Sequence, residues 1–444
     1  MKYLFVFYLS LIICLVLGCQ KEISCEGCST SNQPPIPVAD SDNPPVACAG
    51  EDQNITLPDH SVLLDGSCST DPDNDLTNYL WSKISGPTSF DIADTNLAQT
   101  YVSNLKEGIY SFQLKVTDKN GLTSVDTVQV FVYIDTDHPI DIYVTGIENG
   151  IAKYWKNGQE IVLNSTYPNS TANAIVVVGN DVYVAGADLD KQGQAALATY
   201  TNNKAKYWKN GQEVILTAPY GGGAASIAVD GNDVYVAGWD YGGTKMKAIY
   251  WKNGQPVYLS DGTTDAKATC IVLDDGNVYV AGDDNGVAKY WKNGQPVSLT
   301  NGLMQAEASS ITMDGNDIYV AGSEHNGTVM EAKYWKNGEA VTLPVGPGYN
   351  AYATSIAIVG SDVYVSGYEV NYSSQVTGKY WKNGKAVSLG SDIYPSSIKV
   401  YGGDVFIAGS VDFVGIYWKN GKAVRITKPY DNWGWLTDIL LVPR

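Results

Sequence analysis

Seven times along this chain an aromatic pair stands beside a cation: Tyr-Trp-Lys-Asn-Gly begins at Tyr154, Tyr207, Tyr250, Tyr290, Tyr334, Tyr380 and Tyr417. Aromatic faces of this kind stack on sugar C–H surfaces or attract an ammonium, so the motif reads as seven binding sites or as seven copies of one structural part. The other groups with chemistry to offer are sparse. Asp71, Asp73 and Asp75 alternate in "DPDND", a spacing at which carboxylates converge on a hard cation. The sixth position of that run is Leu76 and the twelfth Ser82, where a calcium loop needs glycine and glutamate, so an acidic solvated turn is expected and no metal. Three histidines (His60, His138, His325) lie in unrelated contexts, which argues against most histidine-dependent catalysis and zinc binding. The adjacent pair Asp283-Asp284 matches no two-carboxylate spacing for hydrolysis. No catalytic residue, no cofactor and no enzymatic activity are expected.

Composition narrows the elements that position these groups. The chain has 444 residues, enough for two or more domains. Charged residues make up only 17%, with 45 Gly, 31 Tyr and 11 Trp, the profile of a β-rich, turn-rich protein. A net charge of −18 argues against a nucleic-acid partner.

The repeats supply the architecture. "DVYVAG" and its variants start at Asp141, Asp181, Asp233, Asn277, Asp317, Asp362 and Asp404, alternating with the YWKNG series at a period of about 44 residues, that of a four-stranded propeller blade. Each unit runs as strand a ("SIAV", 226–229), strand b ("DVYVAG"), strand c ("AKYW") and strand d ("PVSLT"). The Asn-Gly between c and d is the signal of a type I′ hairpin, because that turn requires positive φ twice. The chain enters the array on strand b at Asp141 and leaves on strand a, "LTDILLVP" (436–443). The expected fold is all-β: an antiparallel-sheet domain (44–135), given its Ig-like form by the resemblance described below, followed by a seven-bladed β-propeller (138–444) with the two terminal strands paired in one blade.

This topology divides the loops. The a–b and c–d turns share one tight, uniform face, where the motif lysines would form a solvated ring. Tyr and Trp of strand c point to opposite sides of their sheet and pack against the flanking blades. The b–c and d–a loops share the other face and vary widely. Of the four tryptophans outside the repeats, Trp81 belongs to the sandwich, and Trp239, Trp433 and Trp435 fall on this variable face. With Tyr241, Tyr349, Tyr352, Tyr394 and Tyr430 they form the candidate ligand-binding set, Tyr220 lying nearby. Carboxylates at Asp240, Asp283, Asp284 and Asp431 would accept hydroxyl protons from a neutral polar ligand such as a glycan. A protein ligand is the alternative, for an adhesin or assembly scaffold, and a propeller glycosidase or lyase is a third class. A monomer is expected.

The remaining segments carry resemblances. Residues 1–18 have one early lysine and then an apolar run from Tyr3 to Leu17, too short for a membrane span and suited to a signal peptide. Leu15-Val16-Leu17-Gly18-Cys19 resembles a bacterial lipobox, which implies lipidation of Cys19 and a membrane association through that anchor alone. Gln20-Lys21-Glu22 resembles the signal that sends Bacteroidetes lipoproteins to the cell surface, and implies an outer-membrane, surface-exposed location. Residues 19–43 form a tether that holds Cys25 and Cys28. The pieces "PPVACAGEDQ", "VLLDGSCSTDPDND", "YLWSKISGP" and "YSFQLKVTDKNGLTSVDTVQVFV" resemble a PKD domain, which implies an Ig-like sandwich with Trp81 buried and a spacer or weak adhesion role. Cys48 and Cys68 replace the usual Asn and Gly of that family, and a bridge between these two nearby strands is expected. Cys270 is expected to be an inert cysteine in a buried strand. The blades resemble tandem bacterial propeller repeats in general.

Overall fold

A computed structural model describes residues 42–57, 60–134, 140–165, 169–189, 203–427 and 433–444. The leader, Cys19, the Cys25/Cys28 pair, His138, Tyr430 and Asp431 lie outside the described residues. All named elements are strands, and no helix among the described residues is long and apolar enough to cross a membrane.

The first domain comprises β1 (Gln53–Leu57), β2 (Val62–Asp65), β3 (Leu76–Ser85), β4 (Asp91–Ile92), β5 (Gln99–Ser103), β6 (Gly108–Asp118) and β7 (Thr123–Ile134). They form a sheet of order β1-β7-β6-β3 and a second of order β2-β5-β4. Alternation puts Tyr110, Phe112, Leu114 and Val116 of β6 and Val128, Val130 and Val132 of β7 into one core with Trp81. The Trp81 indole N–H donates to the Leu97 carbonyl at 3.1 Å, which satisfies its only polar atom. Cys48 and Cys68 are bridged, with Cα atoms 5.4 Å apart. The bridge joins segments outside the named strands, next to the isolated pairing of Val46 with Thr70, rather than two strands. "DPDND" is an acidic turn in which the Asp71 carboxylate accepts the Asp73 backbone N–H at 2.8 Å.

Seven four-stranded antiparallel sheets follow among the described residues, each ordered a-b-c-d. The inner a strands of blades 2 to 7 are Asn169–Val178, Gly222–Asp230, Ala266–Asp274, Ala306–Asp314, Asn350–Val359 and Ile393–Tyr401. Blade 1 takes its a strand, Gly434–Pro443, from the end of the chain and pairs it antiparallel with its b strand, Ile140–Glu148.

The motif tryptophans are the keystones between blades. Trp251 of blade 3 is fully buried against Tyr183, Ala185, Ala205 and Tyr207 of blade 2, and its indole donates to the Thr217 carbonyl of that blade at 2.7 Å. Trp208 and Trp381 repeat this bond to Asn164 and Pro344. The motif tyrosines take the other side of the sheet against the next blade's tryptophan, half-buried at Tyr207, Tyr250 and Tyr290 and fully buried at Tyr417. The lysines do not form a free solvated ring. In blade 3 Lys252 pairs with Asp233 at 2.8 Å and lies 5.1 Å over the Tyr235 ring. Asn253, in the left-handed region at φ 51°, donates to the same aspartate and accepts the Val234 N–H. Strand b therefore begins with Asp because that carboxylate closes the c–d turn. In blade 4 Asn277 takes its place and binds Asn293.

Every a strand carries a β-bulge. The bulged residues are Asn173, Ala225, Thr269, Ser309, Thr354, Ser396 and Thr437. They line a central channel of about 450 Å³. Their side chains join successive blades: Asn173 donates to the Ala224 carbonyl, Thr269 to Ala308, Ser309 to Ala353 and Thr437 to Ala172, all within 2.6–2.7 Å. The next residue makes the join elsewhere, Ser226 accepting the Ile271 N–H and Ser397 donating to Asp438. Six of the seven junctions thus carry a bond on the inner rim. Between blades 6 and 7 the described Thr354 and Ser396 bond within their own blades, to Ser366 and Ala408. Cys270 is half-buried on this channel wall and is not bridged.

Candidate functional site

The glycine of "VAG" places the residues at the channel mouth. In blade 6 a Cβ on Gly367 would lie 2.0 Å from the Tyr352 carbonyl oxygen, and in blade 7 one on Gly409 would lie 2.3 Å from that of Tyr394. Only glycine lets the bulged a strand press this closely on strand b. The residue after that glycine is paired with the residue two before the bulge. These two positions, in seven blades, form the rim on the variable face. Around the ring from blade 1 the pairs are Ile147/Trp435, Ala187/Thr171, Trp239/Gly223, Asp283/Lys267, Ser323/Glu307, Tyr368/Tyr352 and Ser410/Tyr394. A frame that repeats seven times thus carries fourteen positions that do not repeat.

Those positions create one aromatic cavity, about 560 Å³, whose wall includes Tyr352, Tyr368, Tyr394, Trp435 and Glu307. Its floor is the hydroxyl row Ser309, Thr354, Ser396 and Thr437 with Asn173. Tyr352 stacks on Tyr368 with centroids 5.1 Å apart, and Tyr394 meets Tyr368 edge-on at 5.5 Å. Trp433 lies 5.2 Å from Trp435 and extends the aromatic surface outward. Tyr394 and Trp433 are each 47% exposed, so their faces are open to a ligand. Burial, with the charges of Tyr352 and Glu307 adding to it, pushes the Tyr368 hydroxyl up to about 12.

Beside this wall lies a charged corner. Lys267 stands 3.6 Å from Asp283 and 3.8 Å from Glu307. Burial raises the Asp283 carboxyl to about 6; Lys267 opposes the rise and Glu307 reinforces it.

Of the residues expected from sequence, Tyr352, Tyr394 and Trp435 line this cavity, and Trp433 packs on its edge. The others do not join it. Trp239 is not a loop residue: it closes strand b of blade 3 (Asp233–Asp240), half-buried over Gly223, where the missing side chain makes room for its ring. Tyr241 follows it and donates its N–H to Gly221. Trp435 also sits in a strand rather than a loop. Tyr349 covers Gly346 in the loop before blade 6. Asp240 is buried and accepts the Tyr258 hydroxyl at 2.9 Å, and Asp284 accepts Lys289 and Thr264, so neither faces a ligand. Tyr368, Glu307 and Lys267 were missed. Counting one residue past each "VAG" glycine would have found Tyr368; Glu307 and Lys267 stand two residues before bulges that only the structure reveals.

Comparison with known proteins bears on the first domain. A family model for the KIAA0319-like PKD domain matches residues 49–132, so this segment is a PKD domain. The segment is 38% identical over 101 residues to the mouse dyslexia-associated protein KIAA0319 homolog, 23% of this chain and 9% of that protein. It is 37% identical over 107 residues to human low-density lipoprotein receptor-related protein 11, 24% of this chain and 21% of that protein. The chain therefore spans only a small part of the curated relatives it matches. Among solved structures the PKD domain of the KIAA 1837 protein shares 39% identity, with a TM-score of 0.19, covering 20% of this chain and 87% of its own. A chain of the nidogen/laminin complex matches 68% of this chain and 98% of its own at 11% identity and a TM-score of 0.35.

Proposed function

We propose that this protein is a non-catalytic binding protein that takes an extracellular glycan at the channel mouth of its propeller, held away from a membrane by the PKD domain and a lipidated Cys19. One observation carries the ligand site: in a repeat that is otherwise uniform, the fourteen rim positions bring Tyr352, Tyr368, Tyr394 and Trp435 around one open cavity. Tyrosine and tryptophan faces stack on sugar rings, and the carboxylate and hydroxyl oxygens at the edge and floor accept hydroxyl protons. The leader sequence supports the export and anchoring. Asp283 meets one requirement of two-carboxylate hydrolysis, a carboxyl raised toward neutrality, but with Lys267 3.6 Å from it and 3.8 Å from Glu307 the corner reads as a charge cluster.

The test is a glycan array with the intact protein and a Tyr394→Ala/Trp435→Ala variant. The wild type is expected to give saturable signals that fall on the order of tenfold in the variant, which lacks two of the stacking faces. Equal signals from both would remove the site. A single stoichiometric protein captured by cross-linking, with no glycan signal, would replace the glycan with a protein ligand.

A further inference from the structure

On the floor of the channel mouth three hydroxyls have their protons committed to backbone carbonyls. Ser309 gives its hydroxyl proton to the Ala353 carbonyl at 2.7 Å, Ser396 to Ala408 at 3.0 Å and Thr437 to Ala172 at 2.6 Å. With those protons committed, each hydroxyl meets a ligand with lone pairs only. The Glu307 carboxylate on the wall is likewise an acceptor. Its neighbouring cation, Lys267, lies beyond direct hydrogen-bonding distance of both Glu307 (3.8 Å) and Asp283 (3.6 Å). Two carboxylates thus share one ammonium, and their corner is electronegative. The faces of Tyr352, Tyr368 and Tyr394 add the negative side of their quadrupoles. The tyrosine hydroxyls and the Trp435 N–H can donate to any sugar, so the preference comes from the Glu307 charge, the committed floor hydroxyls and the ring faces, which favour a positively charged ligand over a carboxylate. Tyr394 and Trp435 line the cavity and Trp433 stands 5.2 Å from Trp435 with its ring tilted by 38°, so several separate aromatic faces are offered to linked sugar rings.

We infer that the channel mouth selects an amino sugar with a free ammonium group, its ring stacked on Tyr394 or Trp435 and its ammonium paired with Glu307. This deepens the glycan-binding reading above and rests on it. N-acylation removes the charge and one donor site, and a uronic acid reverses the charge.

Calorimetric titration of the whole chain at pH 6.5 with short oligomers of glucosamine, N-acetylglucosamine and galacturonic acid tests this, using wild type, Glu307→Gln and Tyr394→Ala. The glucosamine oligomer should bind roughly tenfold tighter than its N-acetylated counterpart, the advantage of a charge-assisted over a neutral pair. Glu307→Gln should erase that advantage while leaving N-acetylglucosamine binding within about twofold, and Tyr394→Ala should weaken every sugar that binds. Equal binding of the two oligomers, preference for galacturonate, or an advantage that survives Glu307→Gln overturns the inference and leaves glycan binding standing. No binding of any of the three sugars overturns the inference, and the glycan array decides the wider reading. A short lysine peptide forms the last arm: Glu307-dependent binding of that peptide without glucosamine binding assigns the corner to a protein partner and also overturns the inference.

Discussion

The Asp283 carboxyl makes stability depend on pH in a direction that can be worked out. Its pKa is raised to about 6, chiefly by burial, so the folded chain holds that proton more tightly than the unfolded chain does. The stabilisation is fully present below the ordinary carboxylate range near 4 and is lost as pH rises through about 6. At pH 7.5 the ionised group therefore costs the folded state on the order of 2 kcal/mol. Asp283→Asn keeps the shape and removes the charge. We expect it to stabilise the protein at pH 7.5 by on the order of 1–2 kcal/mol and to flatten the pH dependence between 4 and 7. Urea midpoints across that range check this, and an unchanged or lower midpoint at pH 7.5 would sink it. Asp283 was visible in the sequence as one of several carboxylates on the variable face, but Glu307 was not. In "QAEASSI" it is an ordinary acidic residue, and its importance comes from standing two residues before a bulge that leaves no sequence signature.

At the scale of the strand, hairpins were legible and bulges were not. Asn-Gly announces a turn because few residues accept positive φ, and each motif asparagine adopts it, as at Asn253 and Asn337. A bulge announces itself only through the glycine it presses on. Gly367→Ala tests that dependence: its Cβ would stand 2.0 Å from the backbone oxygen of Tyr352, and backbone cannot rotate aside as a side chain does. We expect a loss of stability of about 2–4 kcal/mol, in the range of other overpacked or strained core sites, together with loss of sugar binding from displaced Tyr352 and Tyr368. Gly421→Ala is the control, because a Cβ there meets nothing within 4 Å although its φ of 82° adds local strain. A melting temperature for Gly367→Ala as high as that of the control would refute the close-approach argument. The tight-turn lysines teach the same lesson from the other side. Read singly they are solvent-facing charges; read with the aspartate that opens strand b, most of them are parts of a clasp on an exposed, solvent-screened face.

At the scale of the molecule, the blade count followed from periodicity, and the pairing of the last strand with the first b strand followed from where the repeats begin and stop. What periodicity hid was the functional asymmetry, because a repeat draws attention to what is constant. The inner rim holds a related asymmetry. Six blade junctions carry a hydrogen bond across the channel wall, and the junction between blades 6 and 7, among the described residues, does not. Tyr352 and Tyr368 stand on one side of that junction and Tyr394 on the other. A closed hoop under internal load opens where its wall is least tied, so we expect the line of greatest compliance to run through the aromatic cavity. Amide exchange along Asn350–Val359 and Ile393–Tyr401 should accordingly be faster than in the other inner strands and should slow when the cavity is filled; uniform exchange around the ring would show the hoop to be equally stiff everywhere.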